Sequence, residues 1–190
     1  TPAAFSPDHG LVLMLGGWWQ GGWWTGATPE ERYNDTWVFH VTEGRWEARS
    51  PQGPEAIHDN GLVYLPRERR FLLLKTRSVS LYDPATDRWE DRPPFRELTE
   101  DDRPVLDRSP YSCTTVLEPG TGRVYLFGGV RGEDHYLDRT AYYDLEANRV
   151  TVLTPRVRPA ARVRAAVAYD PLRKRFVLFG GVRDQRSRRF

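Results

Sequence analysis

Four tryptophans stand close together near the beginning of the sequence. They lie within seven residues and are flanked by glycine pairs: Trp18, Trp19, Trp23 and Trp24. Indole rings stack on sugars and cationic groups, and they anchor many protein interfaces. Because the segment has no strand alternation and follows an apolar run that stops at Gly16 and Gly17, we predict a loop. Three interpretations are open: the loop packs on its own protein, contacts a protein partner, or binds a small ligand, chiefly carbohydrate.

The residue types of common catalytic and metal sites are present but scattered. The four histidines are dispersed along the chain: His9, His40, His58 and His135. They lack the spacing that would place two metal ligands on one element. The sequence also has no phosphate-binding loop, no Gly-x-Ser-x-Gly motif and no dinucleotide fingerprint. It therefore predicts no catalytic residue, no metal and no cofactor, and it favours a protein that is not an enzyme.

The strands that would position a site are predicted by a repeated sequence motif. An apolar run followed by paired glycines occurs at residues 11–17, 124–129 and 176–181. A degenerate copy, 71–74, is followed by Lys75 and Thr76 instead. The copies recur at intervals of 59, 53 and 52 residues, measured between Gly16, Lys75, Gly128 and Gly180. Each run is too short for a helix and shows no polar alternation, and a run such as 176–179 is rich in β-branched and aromatic residues, which predicts a strand buried on both faces.

Further short strands surround each run. A stretch that ends in a turn precedes it, at 3–10, 61–66, 113–120 and 165–171. In the first three copies two more strands follow, which predicts three sets of four strands and one incomplete set of two, about fourteen in all. The residues expected to be largely buried between the sheets are Leu13, Leu15, Leu73, Tyr125, Phe127, Val177 and Phe179.

The full pattern resembles the kelch family of β-propeller proteins. It consists of a hydrophobic strand with Gly-Gly, then a stretch rich in tyrosine or aspartate such as 33–37, and then a tryptophan, as at Trp46 and Trp89. In the third copy, Val150 occupies the position of that tryptophan. The resemblance implies one propeller segment, 1–190, with repeats at about 1–54, 55–110, 111–160 and 161–190 (incomplete). Propellers close with about 4 to 8 blades. We therefore expect these three and a half blades to belong to a larger propeller or to one completed by another chain.

Charge and composition limit the remaining possibilities. The net charge is +2, but eleven basic and only two acidic residues lie in 155–190. Nucleic acid binding is not favoured, because these arginines lack the aromatic interleaving of a nucleic-acid groove. No apolar run approaches the roughly 18 residues of a membrane helix, so no membrane span is expected. The one cysteine, Cys113, is predicted to be a small buried core residue, and the compartment stays open.

These observations favour a noncatalytic recognition or assembly module. It would bind a protein partner, or a second propeller-completing chain, through open blade edges or through a face that carries the long loops. On that face we expect the tryptophan-rich loop and a second loop with Arg131, His135 and Tyr136. The alternative is part of a carbohydrate-active or oxidoreductase propeller, similar to sialic acid epimerases or to galactose oxidase. Tyr111 and Cys113 invite comparison with the cysteine-linked tyrosine of the latter, but no histidine pair accompanies them.

Overall fold

The protein is an all-β structure in its described parts. The computed structural model describes residues 2–19, 31–49, 53–54, 61–75, 77–95, 113–131 and 135–183. These residues contain sixteen strands and no helix. They form antiparallel sheets, none of which closes on itself. The predicted all-β class is therefore confirmed.

Three four-stranded sheets and a terminal hairpin follow one another along the chain. The first sheet consists of β1 (Ala3–Ser6), β2 (Leu11–Trp19), β3 (Glu31–His40) and β4 (Arg45–Ala48). The second consists of β5 (Gly61–Leu65), β6 (Arg70–Leu74), β7 (Val79–Asp83) and β8 (Arg88–Asp91). The third consists of β9 (Thr114–Glu118), β10 (Arg123–Phe127), β13 (Thr140–Asp144) and β14 (Arg149–Leu153). The terminal hairpin is β15 (Ala166–Asp170) and β16 (Arg175–Phe179), and a ribbon of β11 (Val130–Arg131) and β12 (His135–Tyr136) lies between β10 and β13 in the chain.

The strands of the sheets and hairpin lie where the repeats predict them, except that β2 and β3 extend beyond the first glycine pair. Within each sheet the strands are hydrogen-bonded in chain order, from the first strand to the fourth. The first strands of successive units are also neighbours: β1 lies beside β5, β5 beside β9, and β9 beside β15. The small ribbon was not predicted, because two-residue strands leave no periodic pattern in a sequence.

Two apolar cores fill the spaces between the three sheets. The first core joins the first and second sheets and includes Leu13, Leu73 and Tyr82. The second core joins the second and third sheets and includes Leu72 and Tyr143. Successive side chains of a strand point to opposite faces. Strand β6 therefore contributes alternately to both cores and is buried on both sides.

The turns that join paired strands share a backbone feature. The last turn residue has a positive φ: Gly10, Gly44, Arg69, Asp87, Gly122, Asn148 and Lys174. Asparagine and aspartate tolerate this left-handed conformation better than most residues. Two of them are also held by a tyrosine of the preceding strand, since the hydroxyl of Tyr82 donates to Asp87 at 2.6 Å and that of Tyr143 donates to Asn148 at 3.0 Å.

The paired glycines have a clear structural reason at Gly128. Its φ is 71°, and a Cβ there would lie 2.2 Å from the carbonyl oxygen of Arg162, in the segment that leads to β15. In the second sheet, the corresponding position is Lys75. Its backbone N–H donates to the carbonyl of Ser78 at 2.9 Å, and its ammonium donates to Asp91 at 2.7 Å. In this copy, Lys75 therefore holds the start of β7 and the end of β8 by hydrogen bonds instead of supplying a glycine.

The predicted burial of the second strands is correct in the first two sheets and wrong in the hairpin. Leu13, Leu15 and Leu73 are fully buried, and Tyr125 and Phe127 are partly buried. By contrast, Val177 is 49% exposed and Phe179 is 79% exposed. Their side of β16 faces away from the third sheet, and no further sheet among the described residues covers it.

Candidate functional site

The first two tryptophans of the predicted loop belong to a strand, so that prediction is wrong for them. Strand β2 continues past the glycine pair, and Gly17, Trp18 and Trp19 are paired with Tyr33, Arg32 and Glu31 of β3. The register shifts between Leu15 and Gly17, and Gly16 has a φ of 49°. A bulge at a glycine interrupts the ladder without ending the strand. Trp23 and Trp24 lie outside the described residues.

The other predicted site residues lie on the ribbon after β10. Arg131 is paired with His135, and Val130 with Tyr136. His135 is exposed, whereas Tyr136 is half-buried. Trp18 and Trp19 follow the glycines of the first sheet as this ribbon follows those of the third. The two predicted groups therefore occupy equivalent positions, each directly after the glycine pair of its sheet.

One position in the fourth strands shows how the sheets stack. In the second sheet, the indole N–H of Trp89 donates to the hydroxyl of Thr36 in the first sheet at 2.9 Å. In the third sheet, Val150 is fully buried in the core shared with the second sheet. Both residues pack against the preceding sheet. Trp46, at the same position in the first sheet, has no preceding sheet among the described residues and is 51% exposed.

The first sheet consequently has an apolar outer surface. The ring of Trp46 lies against that of Phe39, with centroids 5.1 Å apart, and Phe5 is also exposed. We call Phe5, Phe39 and Trp46 the front face. Exposed aromatic side chains of this size are typical of contact surfaces when they cluster.

The terminal hairpin forms the opposite end of the sheet array. One side packs on the third sheet, where the rings of Phe176 and Tyr125 are 4.6 Å apart. A cavity of about 180 Å³ lies between the two, lined in part by Phe127 and Leu178. We call the other side, with Val177 and Phe179, the back face. In the described structure β16 pairs with β15 alone, so its other edge is open.

One polar cluster has the residue types of a hydrolytic site. The hydroxyl oxygen of Ser6 lies 2.8 Å from Nδ1 of His9, and the hydroxyl of Tyr64 donates to Asp8 at 2.7 Å. A nucleophilic serine must reach its substrate. Ser6 is fully buried, however, and its oxygen also accepts the backbone N–H of His9 at 3.3 Å. The cluster therefore holds the β1–β2 turn and joins it to β5.

Ligands for the copper chemistry of the alternative prediction are not assembled in the described parts of the chain. Within those parts, no group of three histidine, cysteine, aspartate or glutamate side chains has the geometry of a metal site. Cys113 lies in the second core, as predicted. Tyr111 and His58 lie outside the described residues. The geometry around Cys113 is that of a core residue.

Three residues with shifted pKa values have structural roles. Loss of hydration raises the pKa of Tyr143 to about 12. It also raises the pKa of Tyr82, and the hydrogen bond to Asp87 adds to that effect. The hydrogen bond from Lys75 lowers the pKa of Asp91, and the hydrogen bond from Ser80 has a smaller effect in the same direction. These groups hold turns and strands together.

Comparisons with known proteins do not assign the chain to a family. A scan against protein-family models and a search of curated proteins both found no match. In the described part of the chain, nothing helical has the length and hydropathy of a membrane span. The features of the described structure that bear on function are therefore the sheets and their exposed surfaces.

Proposed function

We propose that the chain is a noncatalytic recognition and assembly segment of a kelch-type β-propeller. Its partner is a protein that binds the terminal hairpin. The single observation that carries this proposal is β16, whose second edge pairs with no other described strand and whose apolar side is exposed. The resemblance of the repeats to kelch repeats supports the propeller, and two features of the sheets agree with it.

The first supporting feature is the order of the sheets. Blades around a common axis place their first strands next to one another, and the first strands here are neighbours from β1 to β15. The second feature is the way the sheets stack. They meet face to face over apolar cores, and the fourth-strand residues Trp89 and Val150 pack on the preceding sheet.

Binding through the hairpin follows from the cost of leaving it open. An exposed and apolar edge strand is a template for pairing with another chain, and natural proteins cover or interrupt such edges. Strand β16 has neither proline nor a charge between Arg175 and its end. A partner protein can cover both surfaces, since one of its strands can pair with the backbone of β16 and another part of it can pack on Val177 and Phe179. The front face, with Trp46, would meet the other side of the same assembly.

The predicted loop-bearing face is a second proposed contact surface for the partner. It comprises Trp18, Trp19, Trp23 and Trp24 together with Arg131, His135 and Tyr136. The exposed position of His135 and the equivalent placement of the two groups support it.

Hydrogen exchange combined with light scattering tests the assembly function. In the isolated monomer we expect residues 175–179 to exchange much faster than the corresponding residues 70–74 of β6, which serve as the internal control. In the particle that contains the partner, residues 175–179 should become protected. A stable monomer in which β16 is as protected as β6 would contradict the proposal, because its edge would already be satisfied.

A further inference from the structure

The complete sheets show what normally lies beside a second strand. In all three, the third strand runs antiparallel to it in the same register. Strand β16 begins with Arg175 and ends with Phe179, which correspond to Arg70 and Leu74 of β6. The third strands are therefore templates for the strand that would complete the hairpin.

The templates share a pattern of residue types. Counted along the third strand, the first position is β-branched and is occupied by Thr36, Val79 or Thr140. The second varies. The third is apolar or aromatic and is occupied by Val38, Leu81 or Tyr142. The fourth is aromatic and is occupied by Phe39, Tyr82 or Tyr143, and the fifth is His40, Asp83 or Asp144. The fifth position is a carboxylate in both sheets whose second strand begins with arginine.

That carboxylate meets the arginine across the strands. Arg70 lies 3.5 Å from Asp83, and Arg123 lies 3.8 Å from Asp144. Arg175 has the same position in β16, and its guanidinium is 3.4 Å from Asp170 on the β15 side. A guanidinium has five N–H donors. A second carboxylate on the other side can therefore bind Arg175 as well, just as Arg70 also binds Glu90 at 3.0 Å.

We infer that the open edge of β16 binds an antiparallel partner strand with the pattern Thr or Val, any residue, a large apolar residue, Tyr or Phe, and Asp. The aspartate pairs with Arg175. The aromatic residue lies opposite Phe176, on the side that faces the third sheet and the cavity of about 180 Å³. This inference rests on the proposed function and adds the chemistry of the partner strand.

Pairing of β16 with a second copy of itself fits these features less well. An antiparallel pair centred on Val177 would place Arg175 opposite Phe179 of the second copy, so the added strand would bring no carboxylate to the guanidinium. A templated strand supplies both the charge and the aromatic side chain. Charge complementarity therefore favours a partner strand over self-association.

A peptide from the chain itself provides the probe. Residues 139–153 span β13, its turn and β14, and they carry the pattern that ends in Asp144. The labelled peptide is titrated into the full chain, affinity is followed by fluorescence anisotropy, and hydrogen exchange reports protection at residues 175–179. We expect binding with protection of β16. A peptide of residues 35–49, which has His40 in place of the aspartate, is the matched control and should bind more weakly.

Charge reversal tests the pairing directly. Changing Asp144→Arg in the peptide, or Arg175→Asp in the chain, should each weaken binding by about threefold or more, as expected for opposed charges across two strands. Combining both changes should restore much of the affinity. Circular dichroism and the melting temperature of R175D should match those of the parent chain, because the Arg175 side chain is exposed.

The remaining outcomes contradict the inferred strand pattern, and they show whether the proposed assembly function fails with it. Equal affinity for all peptides would mean that the edge binds strands without reading the pattern, and the assembly function would stand. Peptide binding without protection of 175–179 would place the contact elsewhere. Self-association that protects 175–179 and excludes the peptide would make a second copy of the chain the partner of this edge. No binding to an unprotected edge would reject the pattern alone. No binding to an edge that is already protected would reject both proposals.

Discussion

In the second sheet, β6 has a sheet on each side, and its apolar side chains are buried on both faces. In the terminal hairpin, the corresponding β16 has a sheet on one side only among the residues that the structure describes. Its equivalent of the buried Phe71 is Phe176, which packs on Tyr125, but Val177 and Phe179 on the other face are exposed. Two strands with the same pattern therefore have different environments.

The difference shows which property belongs to a strand and which belongs to its neighbours. The apolar run is sufficient to specify a strand and its turn, because both form in β6 and β16 alike. Burial on the second face needs another sheet. Val177 and Phe179 occupy positions that are buried in a core elsewhere in the repeats, but here they are exposed. Exposed apolar side chains of this kind are typical of a surface that binds a partner.

Truncating one side chain in each of the two corresponding strands should give the largest contrast in stability. Phe71→Ala in β6 should lower the free energy of unfolding by roughly 3 to 5 kcal/mol, because the ring is fully buried and its removal leaves a cavity. Phe179→Ala in β16 should change it by less than about 0.5 kcal/mol, because the ring is largely exposed in the isolated chain. Urea denaturation of both variants measures the difference. Similar losses for the two would show that the hairpin face is covered in solution.

The sequence predicted the strands well and their surroundings less well. The recurring runs and turns are local, so their positions could be read directly. A pair of glycines, however, looks the same at a bulge and at a strand end, which is why Trp18 and Trp19 were predicted to lie on a loop. Burial of Val177 and Phe179 depends on a neighbouring sheet that no local pattern describes. For the candidate site, the repeats predicted an incomplete last unit, whereas the pairing of Arg175 required the register of complete sheets.

The glycine pairs offer a second contrast between a covered and an open unit. Gly128 and Gly180 have nearly the same φ, 71° and 67°. Gly128→Ala should destabilise the protein by about 3 kcal/mol, because left-handed strain is joined by a clash with the carbonyl of Arg162. Gly180→Ala should cost only about 1 to 2 kcal/mol of left-handed strain, because nothing lies within 4 Å of its added Cβ. Thermal unfolding measures both, and equal costs would mean that the segment around Arg162 yields to the methyl group.

Alkaline titration gives the smallest and most specific test of burial. The pKa of Tyr143 is raised by burial to about 12, from an ordinary value of 10.0. The unfolded chain therefore loses this proton first, and stability that is fully present below pH 10.0 should decline as the pH rises towards about 12. In Tyr143→Phe this part of the decline is absent, so the two stability curves should converge by roughly 2 kcal/mol across the window. Tyr169→Phe in the half-buried hairpin is the matched control and should change the slope less, because that hydroxyl keeps more of its hydration. Urea midpoints measured across the window decide the point, and identical slopes for the parent chain and Tyr143→Phe would show that the third sheet opens to water before this tyrosine ionises.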